Sequence, residues 1–341
     1  MAAIYGLIKK YQLISYFILT YFITWIIFFL PFFITINDMA TKILLMAIGG
    51  TGPAFAAMII SQIIKPGRVK TDRKKYWVVL SIAGLITAAL IVLYLNIQAS
   101  ASLFLLLLVL INAVIAAFII SGGLFPRKGI KELLSKLYIS KVNWKWYILA
   151  LLLIPAFIII TAMYCTLHAG ISLKELIPQL TFGGVSSVII TCGYVTLVRG
   201  PLREEIGWRG FALPRLQYRY SPLIATLILG IIWTVWHLPL HLTGIYAGGI
   251  GGFIERFYYN VGITFLITWI YNHSKGSLLL TTFFHTSFNS TATVFIFPAG
   301  INGSSFMLII SILINIAAII VIFTDRMWKK LPNESDTVYK Y

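Results

Sequence analysis

Only ten acidic residues occur among the 341 of this chain, and two of them, Glu204 and Glu205, stand side by side in LREEIGWRGF, residues 202–211. Successive residues of a helix point about 100° apart, so the two carboxylates face different ways. Glu205 shares a face with Arg209, four residues on. That pairing leaves Glu204 as the free carboxylate. A second polar group lies in WTVWHLPLH, residues 233–241, where His237 follows Trp233 at one-turn spacing and His241 follows His237 with Pro239 between them. A third is HTSFN, residues 285–289, which puts His285 and Asn289 on one helix face. Carboxylate plus imidazole is the equipment for activating water. An imidazole and an amide can donate hydrogen bonds to a developing oxyanion. His285 could alternatively serve as a metal ligand. His237 and His241, at i and i+4, form a metal pair if Pro239 leaves the helix straight.

Each group has a plainer reading. The first is a solvated helix end, with Arg199, Arg203, Arg209 and Arg215 as ordinary loop charges. The second and third are interhelical hydrogen bonders. The three are not independent, however. A membrane bundle encloses such groups only where they meet one another or water.

The elements that must position them are membrane helices. The chain is 59% hydrophobic and 11% charged, against about a quarter charged in soluble domains. Its apolar runs are long and unbroken, so an all-α, polytopic transmembrane helix bundle is expected rather than a barrel. Ten spans are placed, within a range of eight to ten: 13–36, 43–64, 77–97, 102–121, 146–168, 180–199, 222–240, 257–273, 276–297 and 304–323. The chain divides into N-terminal spans with basic loops (1–125), a basic connection (126–145), a catalytic core (146–325) and a polar tail (326–341). The connection should form an amphipathic helix on the lipid surface near 127–141. GGTGPAFAA, residues 49–57, reads as close helix packing through small residues. Cys165 and Cys192 read as separate thiols, and the first apolar run as a retained helix rather than a cleaved leader.

The net charge is +17. Six basic residues lie in 65–75 and six in 126–145, and all but Lys42, Lys174 and Arg256 of the 27 fall on the same side of the ten spans. Both termini are therefore expected in the cytoplasm, with the bilayer as partner and an integral position in a prokaryotic plasma membrane. The clusters lack the interleaved aromatics of a base-stacking surface, so no nucleic acid is expected. One depth problem stands out. Glu204 falls at the cytoplasmic end of its apolar run, whereas His237 lies about fifteen residues into the next, roughly 22 Å along a straight helix. The two meet only if residues 183–217 form a longer embedded unit, with the arginine-rich stretch lining a wet, cytoplasm-facing cavity.

In order and spacing, EEIGWR (204–209), WTVWH (233–237) and HTSFN (285–289) resemble the CPBP family, the CAAX prenyl proteases and bacteriocin-processing (Abi) enzymes. GWRGFALPRL (207–216) also looks typical of it. The motifs span about 180–297, and Trp233 stands where the family usually has Phe. The resemblance implies an intramembrane endopeptidase acting on a membrane-associated peptide or protein. Glu204, His237, His285 and Asn289 would be catalytic, with Glu205, Arg209 and Trp233 supporting. The family's chemistry reads two ways: direct water activation with no cofactor, or one divalent metal such as zinc on Glu204, His237 and His285. A transporter, and a non-catalytic immunity or scaffold protein of the same fold, are the competing readings. No internal repeat of the kind common in transporters is evident.

Overall fold

The computed structural model describes residues 2–98, 100–170, 182–294 and 303–330. Among these, all regular structure is helical apart from one isolated bridge between Arg68 and Arg127. The first half contains α1 (Ala2–Lys10), α2 (Gln12–Phe28), α3 (Met39–Gly49), α4 (Gly52–Ile64), α5 (Arg73–Leu95), α6 (Leu103–Ser121), α7 (Lys128–Leu134) and α8 (Trp144–His168). The second contains α9 (Phe182–Leu197), α10 (Pro201–Gly207), α11 (Leu213–Arg219), α12 (Pro222–Trp236), α13 (Leu238–Leu242), α14 (Gly249–His273), α15 (Leu278–Val294) and α16 (Gly303–Thr324). Local chemistry sets many of the starts. Asp38, Asp72, Ser102, Asn143 and Ser221 each accept a backbone N–H at a helix N-terminus, satisfying a donor that the helix itself cannot. Proline occupies the first turn of α4, α10 and α12, where its missing N–H costs nothing.

Eight helical segments among the described residues are long and apolar enough to cross a membrane. The two expected spans outside that set, 257–273 and 276–297, correspond to α14 and α15. These helices are less apolar and lie inside, with Ile263, Thr264, Leu266, Leu280 and Phe284 wholly buried. The bundle is apolar outside and partly polar within. Leu85, Leu103 and Phe323 are exposed, while Thr20, Thr24, Asn112, Arg203, Glu205 and Arg209 are buried. Lipid accommodates the former and excludes the latter. The main core joins α2, α4, α10, α12, α14 and α15, and a smaller cluster joins α3, α5, α6 and α9.

The structure changes three boundaries. The span expected at 180–199 continues to Arg219, giving one embedded unit over Gly184–Arg219. Its charged half stays embedded because protein, not lipid, surrounds it. The first span ends earlier than expected, with its α-helix stopping at Phe28. The apolar face of the connection 127–141 packs on protein. Gly129, Ile130, Leu133 and Leu134 of α7 are buried against the bundle, and the Lys136 amine donates to the Gly210 carbonyl at 2.8 Å. The glycine-rich stretch does pack closely: a Cβ on Gly52 would sit 2.1 Å from Thr24 Oγ1 of α2. Cys165 and Cys192 are both free thiols. The tail 331–341 and the connection bearing Lys174 lie outside the described residues.

Candidate active site

Glu204 owes its position to a glycine. After α9 the chain turns through Gly200 at φ +121°, a region that side chains rarely tolerate, and α10 starts at Pro201. The Glu204 N–H closes the first turn on the Gly200 carbonyl at 2.7 Å. Helical side chains lean toward the N-terminus, which brings Glu204 Oε1 back over Gly200. A Cβ there would lie 2.2 Å from that oxygen. The next carboxylate, a turn position away, enters a different environment. Glu205 accepts from Arg209 Nη1 at 2.8 Å, both side chains being wholly enclosed. This is the expected i, i+4 pair, and it leaves Glu204 to other partners. From Trp208 to Ala212 the helix widens into a π-turn, a form that recurs at functional sites.

Trp233 organises the rest. Its indole N–H donates to Glu204 Oε2 at 2.7 Å. Its backbone carbonyl lies 2.8 Å from His237 Nδ1. A carbonyl only accepts, so Nδ1 donates in this contact. The Arg209 guanidinium sits over the indole face at 4.6 Å from the ring centroid, a cation–π contact. The rings of His237 and His285 meet the indole edge-on, at 5.7 and 5.2 Å between centroids. His285 in turn places Nδ1 2.9 Å from Glu205 Oε1. Glu205 thus bridges Arg209 and His285, a role its sequence position did not reveal.

Glu204, His237 and His285 therefore gather around one tryptophan, and all three are at least 95% buried. No hydrogen bond joins any two of them. Glu204 and His237 line a cavity of about 60 Å³, together with Gly200, Met46, Trp236 and Tyr246 among others. That is room for several waters, each needing roughly 10–15 Å³ on this measure. Neither His285 nor Asn289 is among the residues lining it. Asn289 is half-buried, one turn beyond His285 on α15.

One expectation about the surroundings fails, and one open alternative is removed. The arginines do not line a wet cavity facing the basic loops. Arg203 and Arg209 are sealed in protein, and only Arg199 reaches the cavity wall. That wall uses Phe28, Ile43, Met46, Trp236 and Tyr246, from the parts of their spans remote from residues 65–75 and 126–145. The His237/His241 pair also dissolves, because α12 ends at Trp236 and α13 begins beyond His237. His241 Nε2 instead accepts from Arg256 Nε at 3.2 Å. Among the described residues, no three of His, Cys, Asp and Glu are placed to share a metal ion. Glu204, His237 and His285 are each oriented by other partners in this arrangement, Trp233 and Glu205.

One functional group escaped the sequence. Arg203 is wholly buried, with no carboxylate partner among the described residues. It donates from Nη1 to the Ala47 carbonyl at 2.6 Å and to Asn112 Oδ1 at 2.9 Å, and from Nε to the Leu197 carbonyl at 3.2 Å. Asn112 also donates to the Leu44 and Leu108 carbonyls. This knot ties α10 to α3 and α6. A signal existed: Asn112 is the lone amide in LFLLLLVLINAVIAAFII.

A carboxylate and an imidazole thus line one small cavity of the helical bundle. Residues 186–291 match the family model for the type II CAAX prenyl endopeptidase, Rce1-like. A Methanococcus maripaludis protein named CAAX prenyl protease 2 is 26% identical over 236 residues, 65% of this chain and 83% of its own length. Both matches support a likeness of the motif-bearing segment to the CPBP (CAAX protease) family.

Proposed function

We propose that this protein is an intramembrane endopeptidase. It hydrolyses a peptide bond of a membrane-associated peptide or protein, using water activated by Glu204 and His237. The observation that carries the reading is the shared cavity. There, Glu204 and His237 each have one side fixed by Trp233 and another facing the same small space. Water in that space gives a proton to the Glu204 carboxylate. The resulting hydroxide adds to the substrate carbonyl carbon, and the carbonyl oxygen becomes an oxyanion. Collapse breaks the C–N bond, and the proton held by Glu204 passes to the leaving amine, directly or through His237 Nε2. His285, oriented at Nδ1 by Glu205 Oε1 2.9 Å away, is assigned the role of an oxyanion donor. Asn289 adds an amide donor from the same helix face. Such donors are each worth about 10²- to 10³-fold in rate. The apolar wall of Phe28, Met46 and Trp236 suits an aliphatic or lipid-modified segment beside the scissile bond, in line with the relative's name. No step runs through a metal.

The Lys/Arg asymmetry supports an orientation with both termini in the cytoplasm. The test uses the purified full chain in nanodiscs with a quenched fluorescent, prenylated reporter peptide. Wild type cleaves it, while Glu204→Gln and His237→Ala do not, and both variants keep the wild-type melting profile. Wild-type activity survives exhaustive chelation. Undiminished cleavage by Glu204→Gln ends the reading, and loss on chelation restored by zinc replaces the direct water mechanism with a metal one.

A further inference from the structure

Another cavity lies outside this site, at the junction of the two basic connections. Residues 65–71 and 124–129 are clipped together by backbone bonds: Val69 N–H to Pro126 O at 2.9 Å, Lys128 N–H to Gly67 O at 2.8 Å, and Gly129 N–H to Lys65 O at 3.1 Å. The Thr71 hydroxyl adds a bond to the Leu124 carbonyl. Between them opens a cleft of about 830 Å³ lined by Arg68, Lys70, Arg73 and Arg127, with Tyr76 and Trp77 on one wall. No acid lines it. The two carboxylates nearby in sequence are engaged elsewhere. Asp72 Oδ1 accepts the Lys75 N–H at 3.0 Å, and Glu132 pairs with Lys65 at 2.6 Å.

Four cations are thus gathered on a fixed backbone with no carboxylate pairing any of them among the described residues. Their mutual repulsion is relieved by an anion, and guanidinium groups suit phosphate through paired N–H donors. The cleft also has a direction. Trp77 begins a continuous exposed apolar stripe on α5, running through Val78, Ile82, Leu85 and Ile86, the lipid-facing side of that helix. A phosphate seated among the arginines would have its acyl chains beside this stripe, with Trp77 at the depth where tryptophan anchors at membrane interfaces. A solvated charge run would need neither the preformed cleft nor the stripe.

We infer that this cleft is a binding site for the phosphate head group of an anionic phospholipid. Cationic clefts at membrane interfaces recognise such head groups, each cation contributing about fivefold in affinity. The test uses the full-length protein in nanodiscs of mixed phosphatidylcholine and phosphatidylglycerol, followed by native mass spectrometry of the lipids retained on extraction. Wild type retains phosphatidylglycerol over phosphatidylcholine. Arg127→Gln lowers that retention about fivefold, and R68Q/K70Q/R73Q/R127Q abolishes the preference. A charge-matched variant away from the cleft, K9Q/K10Q/K329Q/K330Q, keeps it. If the quadruple variant does not fold, Arg68→Gln and Arg127→Gln singly carry the comparison. Equal loss in the charge-matched variant overturns the site in favour of a diffuse surface field. Displacement of the lipid by inorganic phosphate at comparable concentration overturns the lipid assignment in favour of a soluble phosphate.

Discussion

Trp233→Phe isolates a single N–H. The backbone carbonyl that holds His237 remains. A phenyl ring remains between Arg209 and His285. What is lost is the 2.7 Å donation to Glu204 Oε2, made where Trp233 is 1% and Glu204 5% exposed. Hydrogen bonds to a charged group are worth about 1.5–3 kcal/mol. At about 1.4 kcal/mol per tenfold, full expression in the reaction barrier slows cleavage roughly 10- to 150-fold. The smaller ring also leaves a void, and Trp208→Phe controls for that. Trp208 is equally enclosed, lies outside the cavity wall, and its indole N–H has no partner among the described residues. Steady-state cleavage of the reporter peptide gives kcat and KM for both variants. Trp233→Phe should lower kcat by at least tenfold with KM little changed, while Trp208→Phe should stay within threefold of wild type. Equal effects in the two variants, or a Trp233→Phe rate within threefold of wild type, would refute the claim that this N–H positions the carboxylate.

Arg209→Met strands Glu205 with only His285 beside it, and breaking an enclosed ion pair on one side costs about 3–5 kcal/mol. Thermal unfolding should show a marked drop, largely recovered when Glu205→Gln is added. Gly200→Ala forces a Cβ to within 2.2 Å of Glu204 Oε1 at φ +121°. Strain of about 1–3 kcal/mol, with the carboxylate pushed aside, should cut cleavage more than tenfold while the protein still purifies folded. Asp38 caps α3 through the Thr41 N–H at 2.7 Å, and the hydrogen bonding to Thr41 holds its carboxyl below the ordinary value of 3.8. A lowered folded-state value means that the contribution is present above that pH and lost as pH falls through the lowered value. Amide exchange over 39–49 should therefore accelerate below about pH 4. Asp38→Asn, which still caps, should remove most of that pH dependence, and the cap itself is worth about 1 kcal/mol.

Much of the site was legible because membrane burial makes polar residues conspicuous. In a chain with ten acids, the Glu205–Arg209 spacing alone gave the pair seen at 2.8 Å. Hydropathy failed at the same place for the same reason. An apolar-run criterion ends the sixth span near Val198, because it has no way to know that protein encloses Arg203 and Arg209. The depth mismatch between Glu204 and His237 carried that information, and it required the embedded unit that the structure extends to Arg219. The contacts that sequence missed are non-local. Nothing in spacing links Glu205 to His285, 80 positions away, or Arg203 to Asn112, 91 positions away. The amphipathic pattern of 127–141 was real, but periodicity does not say whether an apolar face meets lipid or protein. Here Leu133 and Leu134 meet protein.

The two buried arginines explain why the site depends on the whole bundle rather than on the motif-bearing half. Arg209 is neutralised by Glu205 and covered by the Trp233 ring, all within residues 204–233. Arg203, one residue before Glu204, has no such local partner. Its charge is dispersed over the carbonyls of Ala47 and Leu197 and the amide of Asn112. An unpaired buried charge is tolerable only when its donors are met. The N-terminal spans supply most of those acceptors. They also supply Phe28 and Met46 to the cavity wall. The matched segment 186–291 contains the four candidate catalytic residues, yet α3 and α6 fix the strand of backbone on which Glu204 rides. The division near residue 125 is therefore one of sequence pattern and not of mechanism. A carboxylate can be held ready inside a membrane here because helices from both sides of that division satisfy the charge next to it.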